Sequence, residues 1–241
     1  MDFRNWLFEA LFKDFKESYE NTIYSKELKI KELEDEIGKL KKMPEDERKR
    51  QELIDKLNNK YPKKVIYYTG RDIPNVGSLN LDVRGFFINP ECAEMQKISS
   101  KWSHLPDDQK AFKCLEWVID NIKYTPDKEQ YGLNEFWGYP QEVLKTGRTD
   151  CDGGSILLAN LMEVCEVPYW KIRMTASDTV GGGHAWVCYY RESDDTWVPL
   201  DWCFYPTKKS IKARNDYKNN KNYGDIWFSF NRKYSFSKEL G

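Results

Sequence analysis

Apolar residues at the start of the chain recur at helical spacing. Phe3, Leu7, Leu11, Phe15 and Tyr19 stand four positions apart, which predicts an amphipathic helix. Its polar face carries charges of both signs, whereas helices that lie on membrane surfaces are mostly basic on that face. We therefore expect this helix to pack on the protein itself or on a protein partner.

A second helical pattern follows in a segment dense in Lys and Glu. Apolar residues with three-and-four spacing form two groups, which are Ile30, Leu33, Ile37 and Leu40, and then Leu53, Ile54 and Leu57. Pro44 separates the groups, and because Pro favours the first turn of a helix, a new helix is predicted to begin there. Residues 25–60 thus predict an antiparallel helical hairpin, and residues 1–60 an N-terminal helical extension. Its predicted roles are self-association, attachment to a partner, a lid beside a cleft, or added stability alone.

The rest of the chain, residues 61–241, predicts an α+β domain. Residues 107–121 have the spacing of a core helix, and the polar residues 192–195 predict a hairpin turn. Runs rich in aromatic and β-branched residues predict strands at residues 65–68, 85–88, 184–190, 197–203 and 226–231. The first two of these strands are expected at an edge of the main sheet.

Composition narrows the class of protein. The formal charge is −1, with 38 Lys and Arg against 39 Asp and Glu, so no large basic field for nucleic acid is expected. No apolar run approaches the roughly 20 residues that cross a bilayer, and the chain starts without a signal-peptide pattern. Six cysteines without paired spacing predict reduced thiols. We expect a cytoplasmic protein, with delivery by lysis or by a phage-like particle left open.

Cys151 is the first candidate for chemistry. It stands in a glycine-punctuated segment, residues 145–155, directly before the apolar run 156–164. This arrangement predicts a cysteine at a helix N-terminus, where backbone N–H groups and the helix dipole favour a thiolate and lower the pKa of the thiol. A nucleophile also needs a general base and a group that orients the base.

His184 and Asp201 are the candidates for those two roles. The chain has only two histidines, and the other one, His104, is expected to have a structural or surface role. If the hairpin turn is centred on residues 193–194, His184 lies opposite Cys203 and is the diagonal neighbour of Asp201 on the same face. A slip of one residue would place His184 and Asp201 on opposite faces, so the triad hypothesis forbids odd registers.

The segment around these residues resembles the transglutaminase-like cysteine peptidases and acyltransferases. The resemblance covers roughly residues 100–205. It rests on Trp137, Pro140, Glu142, Leu144, Gly147, Asp150, Cys151, Asp152, the helix 156–164, Gly183, His184, Ala185, Trp186, Trp197 and Asp201. It implies a papain-like core in circularly permuted order, with the nucleophile at the N-terminus of a helix that packs on an antiparallel sheet.

By this resemblance, Cys151 would be the nucleophile, His184 the general base and acid, and Asp201 the group that holds the imidazole. The family holds its oxyanion with the backbone N–H of the cysteine and with an upstream side chain. For that side chain the candidates Trp137, Tyr139 and Gln141 remain open.

A zinc site is the main alternative for the same residues. His184, Cys188 and Cys203 would share one face of the hairpin, and Cys151 or Cys165 would supply a fourth ligand. No two cysteines have the close spacing typical of structural zinc sites, however, so we expect no metal and no cofactor. The cysteines other than Cys151 are expected to be reduced and to occupy core or sheet positions.

The predicted activity is hydrolysis of an amide bond in a protein or peptide through a thioester acyl-enzyme. Acyl transfer to an amine, as in a protein-glutamine transglutaminase, is the alternative. It is less favoured because the chain lacks an acidic calcium loop of the glycine-centred kind. A third possibility is a catalytically idle fold that serves as a binding or assembly module through its N-terminal helices.

Overall fold

The computed structural model describes residues 22–35, 37–38, 43–59, 66–73, 75–87 and 92–237. The amphipathic helix predicted for residues 3–19 lies outside the described residues. The chain divides into two compact units, Met1–Asp55 and Lys56–Gly241. Within the described ranges, no helix is long and apolar enough to cross a membrane.

The first unit is helical where it is described. Residues 22–35 and 37–38 are helical, and helix α1 (Glu45–Asn59) begins directly after Pro44, as the sequence predicts. The first turn of α1 is acidic, which complements the positive end of the helix dipole. The antiparallel pairing of the two helical segments stays a prediction.

The described residues of the second unit form five further α-helices, three sheets and short 3₁₀ turns. The helices are α2 (Ala93–Ser99), α3 (Asp107–Asn121), α4 (Asp127–Gln130), α5 (Pro140–Thr146) and α6 (Cys151–Val164). The strands are β1 (Tyr67–Ile73), β2 (Gly77–Asp82), β3 (Lys123–Tyr124), β4 (Arg148–Thr149), β5 (Ile172–Thr179), β6 (Gly182–Arg191), β7 (Thr196–Leu200), β8 (Tyr223–Phe230) and β9 (Ser235–Ser237). Helix α3 has the bounds that the sequence predicts.

The main sheet has five antiparallel strands in the order β7-β6-β5-β8-β9. Its central strand, β5, is flanked by β6 and β8, and the predicted last strand forms β8 with β9 added at its edge. The combination of this sheet with packed helices confirms the predicted α+β class.

Helix α6 is the centre of the core. It packs against β5 and β6 on one side and against α2, α3 and α5 on the others. Because the helix is covered all round, its sequence is a nearly continuous apolar run instead of a stripe. Ile156, Leu157, Leu158, Leu161 and Met162 are at most 1% exposed, and each such side chain contributes roughly 2 kcal/mol of hydrophobic stabilisation.

Two predictions near residues 65–88 are wrong. Strand β1 pairs with β2, which lies between the two predicted strands, and β1 and β2 form a separate sheet instead of an edge of the main sheet. Residues Val83–Phe86 form a 3₁₀ turn where a strand was expected from residue 85. The Asp82 carboxylate accepts a hydrogen bond from the Arg84 backbone N–H (3.0 Å), and the turn buries Val83 and Phe86 together.

Candidate active site

The β6–β7 hairpin has the register that the triad hypothesis requires. Tyr190 pairs with Trp197 and Val187 with Leu200, so the turn is centred on residues 193–194 as predicted. Asp201 follows β7 directly and lies on the same face as His184. The His184 Nε2 and Asp201 Oδ2 atoms are 2.8 Å apart.

The carboxylate of Asp201 is 1% exposed and accepts hydrogen bonds from four groups. Besides His184, these are the Tyr223 hydroxyl (3.0 Å) and the backbone N–H groups of Cys203 (3.1 Å) and Phe204 (3.0 Å). Burial opposes ionisation, but the hydrogen bond and charge of His184 and these backbone N–H groups outweigh it and lower the pKa of Asp201. An ionised Asp201 fixes the imidazole with Nε2 as donor, which leaves Nδ1 as the ring nitrogen that can accept a proton.

Cys151 is the first residue of α6, and Asp150 is the N-cap. The backbone N–H of Ala185, the residue after His184, donates to its sulfur. On the other side, the Trp202 indole N–H donates to the Cys151 carbonyl (3.2 Å). Gly154 makes this packing possible, because a Cβ there would lie 2.1 Å from the Trp202 ring. The start of α6 and strand β6 thus place the Cys151 sulfur beside Ala185, the residue that follows His184.

Cys151 and His184 line one cleft of about 300 Å³. Its other walls come from β1, the segments before α4 and α5, and the sheet. Among them are Tyr68, Tyr124, Glu135, Trp137, Ala176, Gly183 and Trp227. The structure therefore brings the three predicted triad residues to one place, two of them on the cleft and Asp201 buried behind His184.

The pKa of the Cys151 thiol is raised well above its ordinary value. Burial is the main cause, and the carboxylates of Asp152 and Asp150 add to it, while the hydrogen bond from Ala185 acts in the opposite direction. The expectation of a lowered pKa from the helix N-terminus is wrong for the unliganded site. The site at rest holds a neutral thiol.

Four carboxyl groups, two of which flank Cys151 in the chain, interact with one another, and the pKa of each is raised. Burial is the first cause for Asp127, Glu135, Asp150 and Asp152, and the mutual repulsion of these groups contributes to the shifts of Asp127, Glu135 and Asp152. The pKa of Asp127, which is 4% exposed, rises to about 7. Its carboxylate accepts a hydrogen bond from the Phe136 backbone N–H. At neutral pH this group of carboxyls therefore holds part of its protons.

Two groups of residues bring metal-ligating atoms within 4.8 Å of one another, considering the described residues alone. One is His184, Asp201 and Cys203, and the other is Asp150, Cys151 and Asp152. The carboxylates of the second group are ligands that hard divalent cations prefer. The zinc set considered from the sequence is not assembled, since Cys188 is fully buried in β6 and the Cys165 thiol contacts Cys114 and the Ser99 carbonyl.

The three side chains predicted as oxyanion donors lie in different environments. Trp137 lines the cleft, but its indole N–H donates to Glu135 (2.7 Å). Tyr139 stacks on Phe86 with ring centroids 5.0 Å apart, away from the cleft walls. Gln141 lines a separate cavity beside Cys92 and Trp117. His104 is exposed in a turn before α3, in keeping with the surface role expected for it.

Three tyrosines at the site were not predicted from the sequence. Tyr223 donates to Asp201, and Tyr68 and Tyr124 line the cleft beside Cys151. Tyr68 lies on β1, which is distant in sequence from the motif core. No local motif marks these tyrosines, because they reach the site only through packing between segments far apart in the chain.

Comparison with known proteins supports the family. Residues 96–202 match Transglut_core, the model of the transglutaminase-like superfamily. Residues 96–202 are therefore similar to the core of that superfamily, and Cys151, His184 and Asp201 all lie within the matched range. No curated protein matches the sequence.

Some solved structures are similar to this chain, at low sequence identity. Legionella pneumophila LapG in its calcium-bound form is 18% identical, with a TM-score of 0.42 over 62% of this chain and 88% of that chain. The EGTA-treated form of LapG is 17% identical, with a TM-score of 0.41 over 64% and 87%. A candidate cysteine protease from Cytophaga hutchinsonii is 15% identical, with a TM-score of 0.36 over 64% and 50%. The similarity to the transglutaminase-like superfamily rests on the sequence match of residues 96–202.

Proposed function

We propose that this transglutaminase-like core is a thiol-dependent amide hydrolase with Cys151, His184 and Asp201 as its triad. The observation that carries the proposal is the 2.8 Å His184–Asp201 pair, which shares one cleft with a cysteine at a helix N-terminus. In this proposal Cys151 is the nucleophile, His184 on the same cleft is the base, and the buried Asp201 carboxylate orients the base.

The reaction begins from the neutral pair. As the Cys151 sulfur attacks the carbonyl carbon of the substrate, His184 Nδ1 takes the thiol proton. The imidazolium, held by ionised Asp201, then gives that proton to the leaving amine as the C–N bond breaks. The remaining thioester is attacked by water, which passes one proton to His184. As the C–S bond breaks, His184 gives that proton to the Cys151 sulfur, and the acid and the free thiol result. Because the pKa of the Cys151 thiol is raised, we place the transfer of its proton to His184 in the same step as the attack on the carbonyl.

We propose the Cys151 backbone N–H and the Tyr68 hydroxyl as the oxyanion donors. Tyr68 lies on the wall of the cleft that holds Cys151, and burial, with help from the charges of Glu135 and Asp152, raises its pKa to about 12. The hydroxyl therefore keeps its proton at neutral pH and can donate it in a hydrogen bond. The N–H of Trp137 is engaged by Glu135, which makes Trp137 the weaker candidate.

A peptide library tests the activity and separates the alternatives. Wild-type protein and Cys151→Ala are incubated with a proteome-derived peptide mixture, with and without dansylcadaverine, and products are read by mass spectrometry. New peptide termini that appear with wild type alone support hydrolysis. Dansylcadaverine joined to glutamine side chains would instead identify a transglutaminase. Identical products from both proteins would leave the idle binding module as the function.

The helical extension is proposed to bind a protein partner or a second copy of the chain. Ile30, Leu33 and Ile37 are 45–55% exposed on the helical residues 22–35 and 37–38. Exposed apolar side chains at this spacing are typical of a helix that is covered by a partner. Sedimentation of the full chain and of a variant with Ser at these three positions tests self-association.

A further inference from the structure

Another cavity, of about 420 Å³, borders the His184–Asp201 pair. It is formed by the loop after β7, the 3₁₀ turn Ile211–Ala213 and the start of β8. Phe204 and Tyr223 belong to its walls, and both also contact the catalytic pair. The Phe204 and His184 ring centroids are 5.2 Å apart, and Tyr223 donates to Asp201.

Arg214 contributes a buried positive charge to this cavity. The residue is 7% exposed and lines the cavity. Its guanidinium donates to the carbonyl oxygens of Pro199 (3.2 Å) and Thr207, and its buried Nε atom has no hydrogen-bond partner in the described part of the chain. Carbonyl acceptors satisfy N–H groups but do not neutralise the charge. Arg214 is therefore a buried cation that, within the described ranges, forms no ion pair with a carboxylate.

The lining around Arg214 is polar and contains no acid. Lys209 adds a second positive charge at the exposed side, and the remaining polar side chains are neutral: Thr207, Asn215, Asn220, Asn222, Tyr205 and Tyr223. Burial lowers the pKa of Arg214 to about 10, although Tyr223 and Asp201 act against this shift. Buried arginines normally pair with carboxylates, which match the fork of the guanidinium.

We propose that this cavity binds a carboxylate, presented by an acidic side chain of a bound peptide. A carboxylate would neutralise Arg214, pair with Lys209 and accept hydrogen bonds from the Asn amides. Phe204 and Tyr223, which line this cavity, contact His184 and Asp201, so a bound carboxylate would lie close to that pair. Binding itself does not depend on the proposed hydrolysis, so each can fail without the other.

Titration of the full chain with small probes tests the proposal. The probes are N-acetyl-glutamate N-methylamide, its neutral glutamine analogue and glutarate, followed by calorimetry and by the side-chain NH₂ signals of Asn215, Asn220 and Asn222. The glutamate probe is expected to bind and to shift these signals, and the glutamine analogue is not. Binding of glutarate without the glutamate probe would keep the carboxylate site and overturn the peptide side chain as its source. Equal binding of the glutamate and glutamine probes, or no binding of any probe, would overturn the site.

Two matched pairs of variants test whether the glutamate probe binds in this cavity. Lys209→Gln should weaken binding of the glutamate probe on the order of threefold, as for a solvated ion pair. Lys208→Gln, which alters the neighbouring lysine that pairs with Asp120 outside the cavity, should not change it. Ala213→Glu places a carboxylate on the lining and should abolish binding, whereas the equally large Ala213→Gln should retain more of it. If both members of each pair behave alike, the cavity is not the binding site.

Discussion

His184 and Asp201 are diagonal neighbours across the β6–β7 hairpin and are joined by a 2.8 Å hydrogen bond between Nε2 and Oδ2. The strand register brings the two side chains together. Tyr223, Cys203 and Phe204 each donate a further hydrogen bond to the Asp201 carboxylate. Both the position and the tautomer of the imidazole are therefore set before any substrate binds.

Replacing this carboxylate should impair catalysis more than folding. In Asp201→Asn the side-chain oxygen can still accept from the backbone, but the imidazolium loses its counter-charge. We expect kcat/KM for a peptide cleaved by the wild-type protein to fall roughly 10²-fold or more. Asp194→Asn, the same change in the turn of the same hairpin, is the control and should leave the rate unchanged. An Asp201→Asn variant with wild-type activity would remove Asp201 from the mechanism.

The raised pKa of Cys151 predicts slow alkylation at neutral pH. A thiol with a raised pKa stays protonated at pH 7, so its reaction with iodoacetamide should be slower than that of glutathione and should increase only above about pH 9. His184→Ala should change the rate at pH 7 little, because no ion pair is lost. Peptide mass spectrometry after timed labelling measures this rate for each cysteine. Fast labelling of Cys151 at pH 6 that disappears in His184→Ala would instead show a preformed thiolate.

Gly154 is needed for the contact between α6 and Trp202. In Gly154→Ala the new Cβ would lie 2.1 Å from the Trp202 ring, so the ring must move away from the Cys151 carbonyl. We expect the free energy of unfolding to fall by about 3 kcal/mol, measured by urea denaturation. Gly85→Ala is the control, since nothing lies within 4 Å of a Cβ there. Equal stability of the two variants would contradict the packing described.

The carboxyl group of Asp127 should make stability depend on pH. Its pKa is about 7 in the folded protein and close to 3.8 in the unfolded chain, so between these values the folded state binds more protons. Stability from this group is complete below about pH 4 and is lost as the pH rises through 7. Asp127→Asn removes the titrating group and should be more stable than wild type at pH 8 by about 3 kcal/mol, with little difference at pH 4.

Urea denaturation in buffers with EDTA, from pH 4 to pH 8, measures this difference. Glu129→Gln, an exposed change on the same helix α4, should follow the wild-type curve. Parallel curves for wild type and Asp127→Asn would show that Asp127 is ionised at all these pH values.

The sequence by itself determined the local elements and the pairing of His184 with Asp201. The bounds of α3, the start of α6 at Cys151 and the register of the hairpin follow from patterns within about 20 residues, where spacing and turn residues leave few alternatives. Because side chains alternate along a strand, the centre of the turn alone placed His184 and Asp201 on one face. The motif spacing then indicated the family.

Tertiary structure decided the environment of those residues. The pKa of Cys151 depends on burial and on two carboxylates, and burial cannot be derived from a helix terminus alone. Tyr68, Tyr223 and Arg214 reach the neighbourhood of the catalytic pair from segments distant from its motifs, and no periodicity marks them. The pairing of β1 with β2, away from the main sheet, is also non-local. Local pattern fixes which elements form, whereas the electrostatics and the cavities arise only when distant segments pack together.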